Sequence, residues 1–185
     1  MNIDTKYLVR WGIPGWILIM ITGPFIFFEF KDEIVKLSQE VNFIALGAFL
    51  TAIGVPLGYL LNQVHHSLSW VIPKYREWDK YFDKEIAVDE YFFKNEIGKM
   101  QKERYRYLLS RKHELGGLKV SLLFSLIIIL IVSILTKFNW WEVLYFITVF
   151  IFYLLIHYSS KYSSMNVEKY FSYYLTKSMN SNKDD

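Results

Sequence analysis

Residues Val120 to Thr136 read VSLLFSLIIILIVSILT, a run with no charge, no glycine and no proline in which leucine and isoleucine dominate. A helix of a water-soluble protein keeps one polar face, whereas this stretch is apolar on every side, as a segment surrounded by hydrocarbon must be. A second such run, Val143 to Tyr158 (VLYFITVFIFYLLIHY), follows closely and is preceded by Trp140 and Trp141. Only Lys137, Phe138 and Asn139 lie between the first run and those tryptophans. The two runs therefore read as a tight antiparallel hairpin with an interfacial aromatic anchor at its turn.

Working back toward the N-terminus, two more uncharged runs appear. Val41 to Leu61 (VNFIALGAFLTAIGVPLGYLL) is 21 residues long, and at a rise of about 1.5 Å per residue it spans about 30 Å, the thickness of the hydrocarbon layer. Trp11 to Phe28 (WGIPGWILIMITGPFIFF) follows Lys6 and Arg10. It lacks a small-residue cleavage site and reads as an uncleaved first helix rather than a signal peptide. The expected fold class is all-α: an integral membrane protein with four transmembrane helices and a cytoplasmic helical insertion between the second and third. The boundaries place a transmembrane hairpin at 1–63 (spans near 11–30 and 41–61) and the insertion at 64–117. A second hairpin follows at 118–159 (spans near 118–136 and 140–158), then an amphipathic cytoplasmic tail at 160–185.

Bulk composition conceals this pattern, because 53% hydrophobic and 21% charged residues with a net charge of +3 describe an ordinary globular chain. The placement of the charges is more telling. Of the 21 basic residues, 18 fall on the side holding the N-terminus, the central segment and the tail, and only Lys31, Lys36 and Lys137 fall on the other. The positive-inside rule then puts both termini and the insertion in the cytoplasm, for a multi-pass protein of the inner or plasma membrane. The absence of cysteine excludes a disulfide framework, thiolate metal sites and a cysteine nucleophile. No Gly-rich phosphate loop, GxSxG elbow, HExxH helix or EF-hand loop is present either, so neither a cofactor nor an enzymatic activity is implied.

In the insertion, Trp78, Tyr81, Phe82 and Ile86 recur at helical spacing after Pro73, which suits a helix's first turn. A second helix is expected from Asp89, its cap, carrying Phe93, Ile97, Met100, Leu108 and Leu115 on one face, with Gly116 and Gly117 as punctuation before the third span. The stretch from Gly98 to Lys119 is basic, through Lys99, Lys102, Arg104, Arg106, Arg111 and Lys112 among others. Its first expected partner is the anionic inner leaflet. Tyr105 and Tyr107 interleave with Arg104 and Arg106 as in a nucleic-acid contact, the less favoured reading. Val167, Tyr170, Phe171, Tyr174 and Leu175 form an apolar stripe in the tail, suited to the headgroup layer or to the central helices.

Within the second span, Gly47, Thr51, Gly54 and Gly58 line one stripe of small residues, with Pro56 inside the Gly54–Gly58 GxxxG. Small residues let helix backbones approach closely, so this stripe is expected to serve internal packing or a homo-oligomer contact. On the oligomer reading, replacing Gly54 and Gly58 by Leu breaks the assembly. Pro56 frees the carbonyl of Ala52 and bends the helix, which a gate could use. Beyond the span, Asn62, Gln63, His65 and His66 form a polar cluster that could line a pore mouth or a proton-sensitive gate. Only His113 and His157 are left to join a metal site, and no metal is expected. No acidic residue lies deep in a span, and Glu29 and Glu142 fall at the outer interface, which disfavours a coupled transporter.

Two resemblances add to this reading. Arg106 and His113, six residues intervening, resemble the R-x4-6-H motif of HEPN ribonucleases, which implies a paired site acting on an RNA phosphodiester; Tyr107 departs from the polar residue usual there. The overall layout looks like the small multi-pass membrane proteins that accompany bacterial defence systems, CRISPR accessory proteins among them. The first function expected is thus a self-associating membrane protein forming or regulating a pore, whose cytoplasmic helices receive a signal or a protein partner. A non-conducting scaffold using Trp78, Tyr81, Phe82 and Phe93 is the alternative, and a membrane-tethered nuclease the remote one.

Overall fold

The computed structural model describes residues 5–38, 42–94, 98–136 and 139–184. Val41, Ile97, Lys137 and Phe138 lie outside the described residues. Among those described there is no strand: the chain forms α1 (Thr5–Glu29), α2 (Lys31–Ser38), α3 (Phe43–His66), α4 (Trp78–Lys94), α5 (Gly98–Leu135) and α6 (Trp140–Asp184). Four of these, α1, α3, α5 and α6, are long and apolar enough to cross a membrane.

Helix α3 starts where Asn42, with extended backbone, accepts hydrogen bonds from the amides of Ile44 at 2.9 Å and Ala45 at 3.4 Å. Such a side chain replaces a carbonyl that the first turn lacks. At its other end α3 runs into a π-turn, Ser67–Val71, and a 3-10 turn, Tyr75–Glu77, before α4 begins. Pro73 lies between those two turns rather than in the first turn of α4. Trp78 closes the corner by donating its indole N–H to the carbonyl of Val71 at 3.2 Å.

Three expected breaks are absent. Asp89 caps nothing; it sits inside α4 and pairs with Lys102 of α5 at 3.1 Å. Helix α4 continues past it because Val88 and Phe92 are buried against Tyr174 of α6. Gly116 and Gly117 do not end a helix either, since α5 runs through them from the basic segment into the apolar run. The boundary expected near 159 likewise falls inside α6, which extends unbroken through the tail. With 38 and 45 residues, α5 and α6 are about 57 and 67 Å long, twice a hydrocarbon layer.

The helices pack as two joined bodies. In the first, α1 lies against α3, α5 and α6, and its Phe25 is buried with Leu122, Leu126 and Ile129 of α5 and Val149 of α6. Leu18, Leu61 and Val120 continue this core between α1, α3 and α5. These side chains fill the middle of the bundle. In the second body, a stalk, α4 packs on the N-terminal half of α5 and the C-terminal half of α6, around Val88, Phe92 and Tyr174 with Tyr91, Tyr105, Tyr170 and Phe171 at its edge. The tail stripe therefore docks on the central helices.

Candidate functional site

The site is set by how closely α1 and α3 cross. A Cβ at Gly15 would collide with the backbone of Gly54 and Gly58, and one at Gly58 with the carbonyl of Trp11. The Gly54–Gly58 motif is thus occupied within the chain, with the indole of Trp16 over Gly54 and donating to the carbonyl of Thr51 at 2.9 Å. Gly47 faces open space, and Thr51 and Pro56 are exposed. Thr51 donates its hydroxyl to the carbonyl of Gly47 in its own helix at 2.8 Å. Gly54 and Gly58 thus pack directly on α1, Thr51 meets it through its carbonyl, and Gly47 faces away from it.

Further polar contacts hold α1 to its neighbours. The buried hydroxyl of Ser121 donates to the carbonyl of Pro14 at 2.6 Å, and the phenol of Tyr145 donates to the carbonyl of Ile21 at 2.7 Å. Both reach peptide groups already inside a helix, the kind of interhelical hydrogen bond used where hydrophobic burial cannot drive helices together.

Where α3 leaves this crossing its side chains meet α5. Side chains at Gly116 and Gly117 would occupy the positions of the His65 ring and the Asn62 carboxamide, so the glycines are spaces cut into α5 for α3. His65 is buried and shares a hydrogen bond of 3.0 Å between its Nδ1 and the Ser69 hydroxyl. Its ring stands 6.2 Å from that of His113, and His66 approaches His113 to 5.8 Å. His65 lies one turn beyond the uncharged segment that ends at Leu61. Burial there, with His113, Lys119, Lys112 and His66 nearby, depresses its pKa to about 4.

On the open side of this contact is a cleft of about 350 Å³ between α1, α3 and α5. Trp11 and Tyr59 line one end, in edge-to-face contact at 5.7 Å; Asn62 and Gln63 form a wall; His66, His113 and Glu114 line the other end. The expected polar cluster thus divides: Asn62, Gln63 and His66 face the cleft, and His65 turns into the helix contact. His113, singled out with Arg106, joins this cluster, while Arg106 stays on the exposed surface of α5.

Higher in the stalk, Lys112 departs from expectation. Lys99, Arg104, Arg106 and Arg111 are exposed and Lys102 is partly so, but Lys112 is only 5% exposed. It shares a face with Leu108 and Gly116, four residues either way, and that face is turned inward. Its ammonium lies 4.5 Å from the centre of the Trp70 ring, which Lys74 also approaches at 3.9 Å while standing 4.1 Å from Tyr81. Burial lowers the pKa of both lysines, and Glu168 acts in the opposite direction on each. Buried ammonium groups held by an indole face are cation–π contacts. The spacing of Leu108, Lys112 and Gly116 could have shown this; the partner Trp70 could not be read from sequence.

Among the described residues no three His, Asp or Glu side chains gather in a metal-holding group. No protein-family model matches the chain, and no curated protein or solved structure matches it.

Proposed function

We propose that this chain is a multi-pass membrane protein that serves as an anchored adaptor, with both termini and the stalk in the cytoplasm. The observation that carries the reading is the unbroken passage of α5 and α6 from uncharged segments into the stalk. A flexible tether would suffice for anchorage alone; continuous helices fix the stalk's orientation relative to the bilayer. The 18 to 3 division of basic residues supports the orientation. Phe82, Ile86 and Phe93 lie along one exposed side of α4, Phe93 being 93% exposed, and suit a cytoplasmic protein partner. Trp78 and Tyr81, expected on that surface, are instead half-buried against Val71, Trp70 and Phe171.

The test uses the cysteine-free background. A single cysteine at Glu90 should react with an impermeant maleimide only after cells are opened, and one at Asn139 in intact spheroplasts; the reverse pattern overturns the orientation. A photo-crosslinking residue at Phe93 should trap a discrete protein other than a second copy, and liposomes containing the purified chain should pass no ions. Ion flux, or crosslinks to itself alone, would overturn the adaptor.

A second reading, a pore made between copies, rests on one observation. Residues 44–53 of α3 include no buried side chain among those described, so half of this apolar helix is largely uncovered by its own chain, Trp16 reaching it only at Thr51. The interior of a single chain is filled by Phe25, Leu126 and Ile129, so any lumen would lie between chains. A detergent-solubilised particle with the mass of one chain would remove this reading.

A further inference from the structure

We propose that the cleft between α1, α3 and α5 binds a phospholipid headgroup bearing a primary ammonium, with Glu114 receiving the ammonium and His66, His113 and the neighbouring amides receiving the phosphate. The inference rests on the membrane placement above. Its first support is depth. Trp11 opens one uncharged run, Tyr59 lies one turn inside the end of another, and Asn62 follows that end directly. At 1.5 Å per residue His66 then lies about 7 Å beyond Leu61 and His113 about 10 Å beyond Val120, at the level of lipid headgroups. The cleft therefore straddles the same apolar-to-polar step as a phospholipid.

The second support is chemistry. Asn62 and Gln63 carry amide N–H donors, and each imidazole of His66 and His113 presents at least one N–H. These are donors for phosphate oxygens, and among the described side chains no lysine or arginine lines the cleft. A purely anionic lipid would meet the carboxylate of Glu114. The carboxylate of Glu114 accepts from Ser110 at 3.1 Å, and two carboxylate oxygens offer about four lone-pair positions in all. At the other end of the cleft, Trp11 and Tyr59 provide aromatic surface on which the apolar part of a lipid can lie. A volume of about 350 Å³ is at the small end of ligand sites, suited to a headgroup with the acyl chains left in the bilayer.

The experiment is native mass spectrometry of the delipidated full chain in detergent, titrated with phosphatidylethanolamine, phosphatidylcholine and phosphatidylglycerol of matched acyl chains. Phosphatidylethanolamine should bind about tenfold more tightly than the other two, the worth of one charge-assisted hydrogen bond. Glu114→Gln should remove that preference by weakening phosphatidylethanolamine far more than phosphatidylcholine, while His66→Ala should weaken all three. Equal binding of the three lipids, a preference for phosphatidylglycerol, or an unchanged preference in Glu114→Gln would overturn the site; the wild-type comparison needs no variant to fold. Alkaline extraction of the source membranes runs alongside. A chain that washes off overturns the membrane placement itself, whereas one that stays but shows no selectivity overturns only the headgroup site.

Discussion

A side chain placed at Gly15 would run into the backbone of Gly54 and Gly58, while one at Gly47 meets nothing. These positions look alike in sequence, because spacing shows that small residues share a stripe but not which helix comes to cover it. The two therefore separate in a test. Gly58→Ala should lower stability in detergent by about 1–3 kcal/mol, as overpacking at a close contact does; Gly47→Ala should stay within about 0.5 kcal/mol. Replacing Gly54 and Gly58 by Leu then reports on the α1–α3 crossing inside one chain before it reports on any oligomer. His65 makes a pH prediction. Its folded pKa of about 4 lies below the ordinary imidazole value of 6.5, so between these values the unfolded chain binds more protons. Stability should fall as pH drops from 6.5 toward 4, and a His65→Gln variant should show a flatter dependence of melting temperature on pH over that range. Equal slopes would contradict the assignment.

At the scale of the helices, the uncharged runs were fully legible as helices, because no charge interrupts them over a length set by the bilayer. Their ends were less so. Gly116 and Gly117 look like a stop when read alone, yet His65 and Asn62 from α3 fill the space above them, and tertiary packing overrides the local penalty of glycine in a helix. Asp89 misled for a related reason: a cap residue and a surface ion-pair residue have the same side chain, and only Phe92 reaching Tyr174 shows that α4 goes on. Glu142 was expected at a wet interface and is 1% exposed. Its carboxylate accepts the amide of Asn139 at 3.0 Å, one half of a capping box, while its own amide donates to the backbone carbonyl of Asn139 at 3.2 Å, closing the first turn of α6. Glu142→Ala should cost about 1 kcal/mol of thermal stability. Glu142→Gln, which keeps the acceptor oxygen, should recover most of it.

At the scale of the molecule, the division between uncharged and charged stretches is visible in the sequence, but the fusion of the bundle and the stalk is not, since continuity of a helix across a polarity change leaves no mark in composition. Inserting two glycines between Lys119 and Val120 should leave the membrane core intact and uncouple the stalk. The expected outcome is retained membrane extraction behaviour with faster proteolysis of residues 98–119, and unchanged proteolysis would contradict the rigid joint. The same joint has a mechanical meaning. Helix α6 reaches about 37 Å past residue 159 at 1.5 Å per residue. Acting as a lever, it turns a tilt of about 10° at the bundle into a sweep of about 6 Å at the tip; on the proposed membrane placement, local thinning or crowding of the bilayer becomes displacement at the end of the stalk.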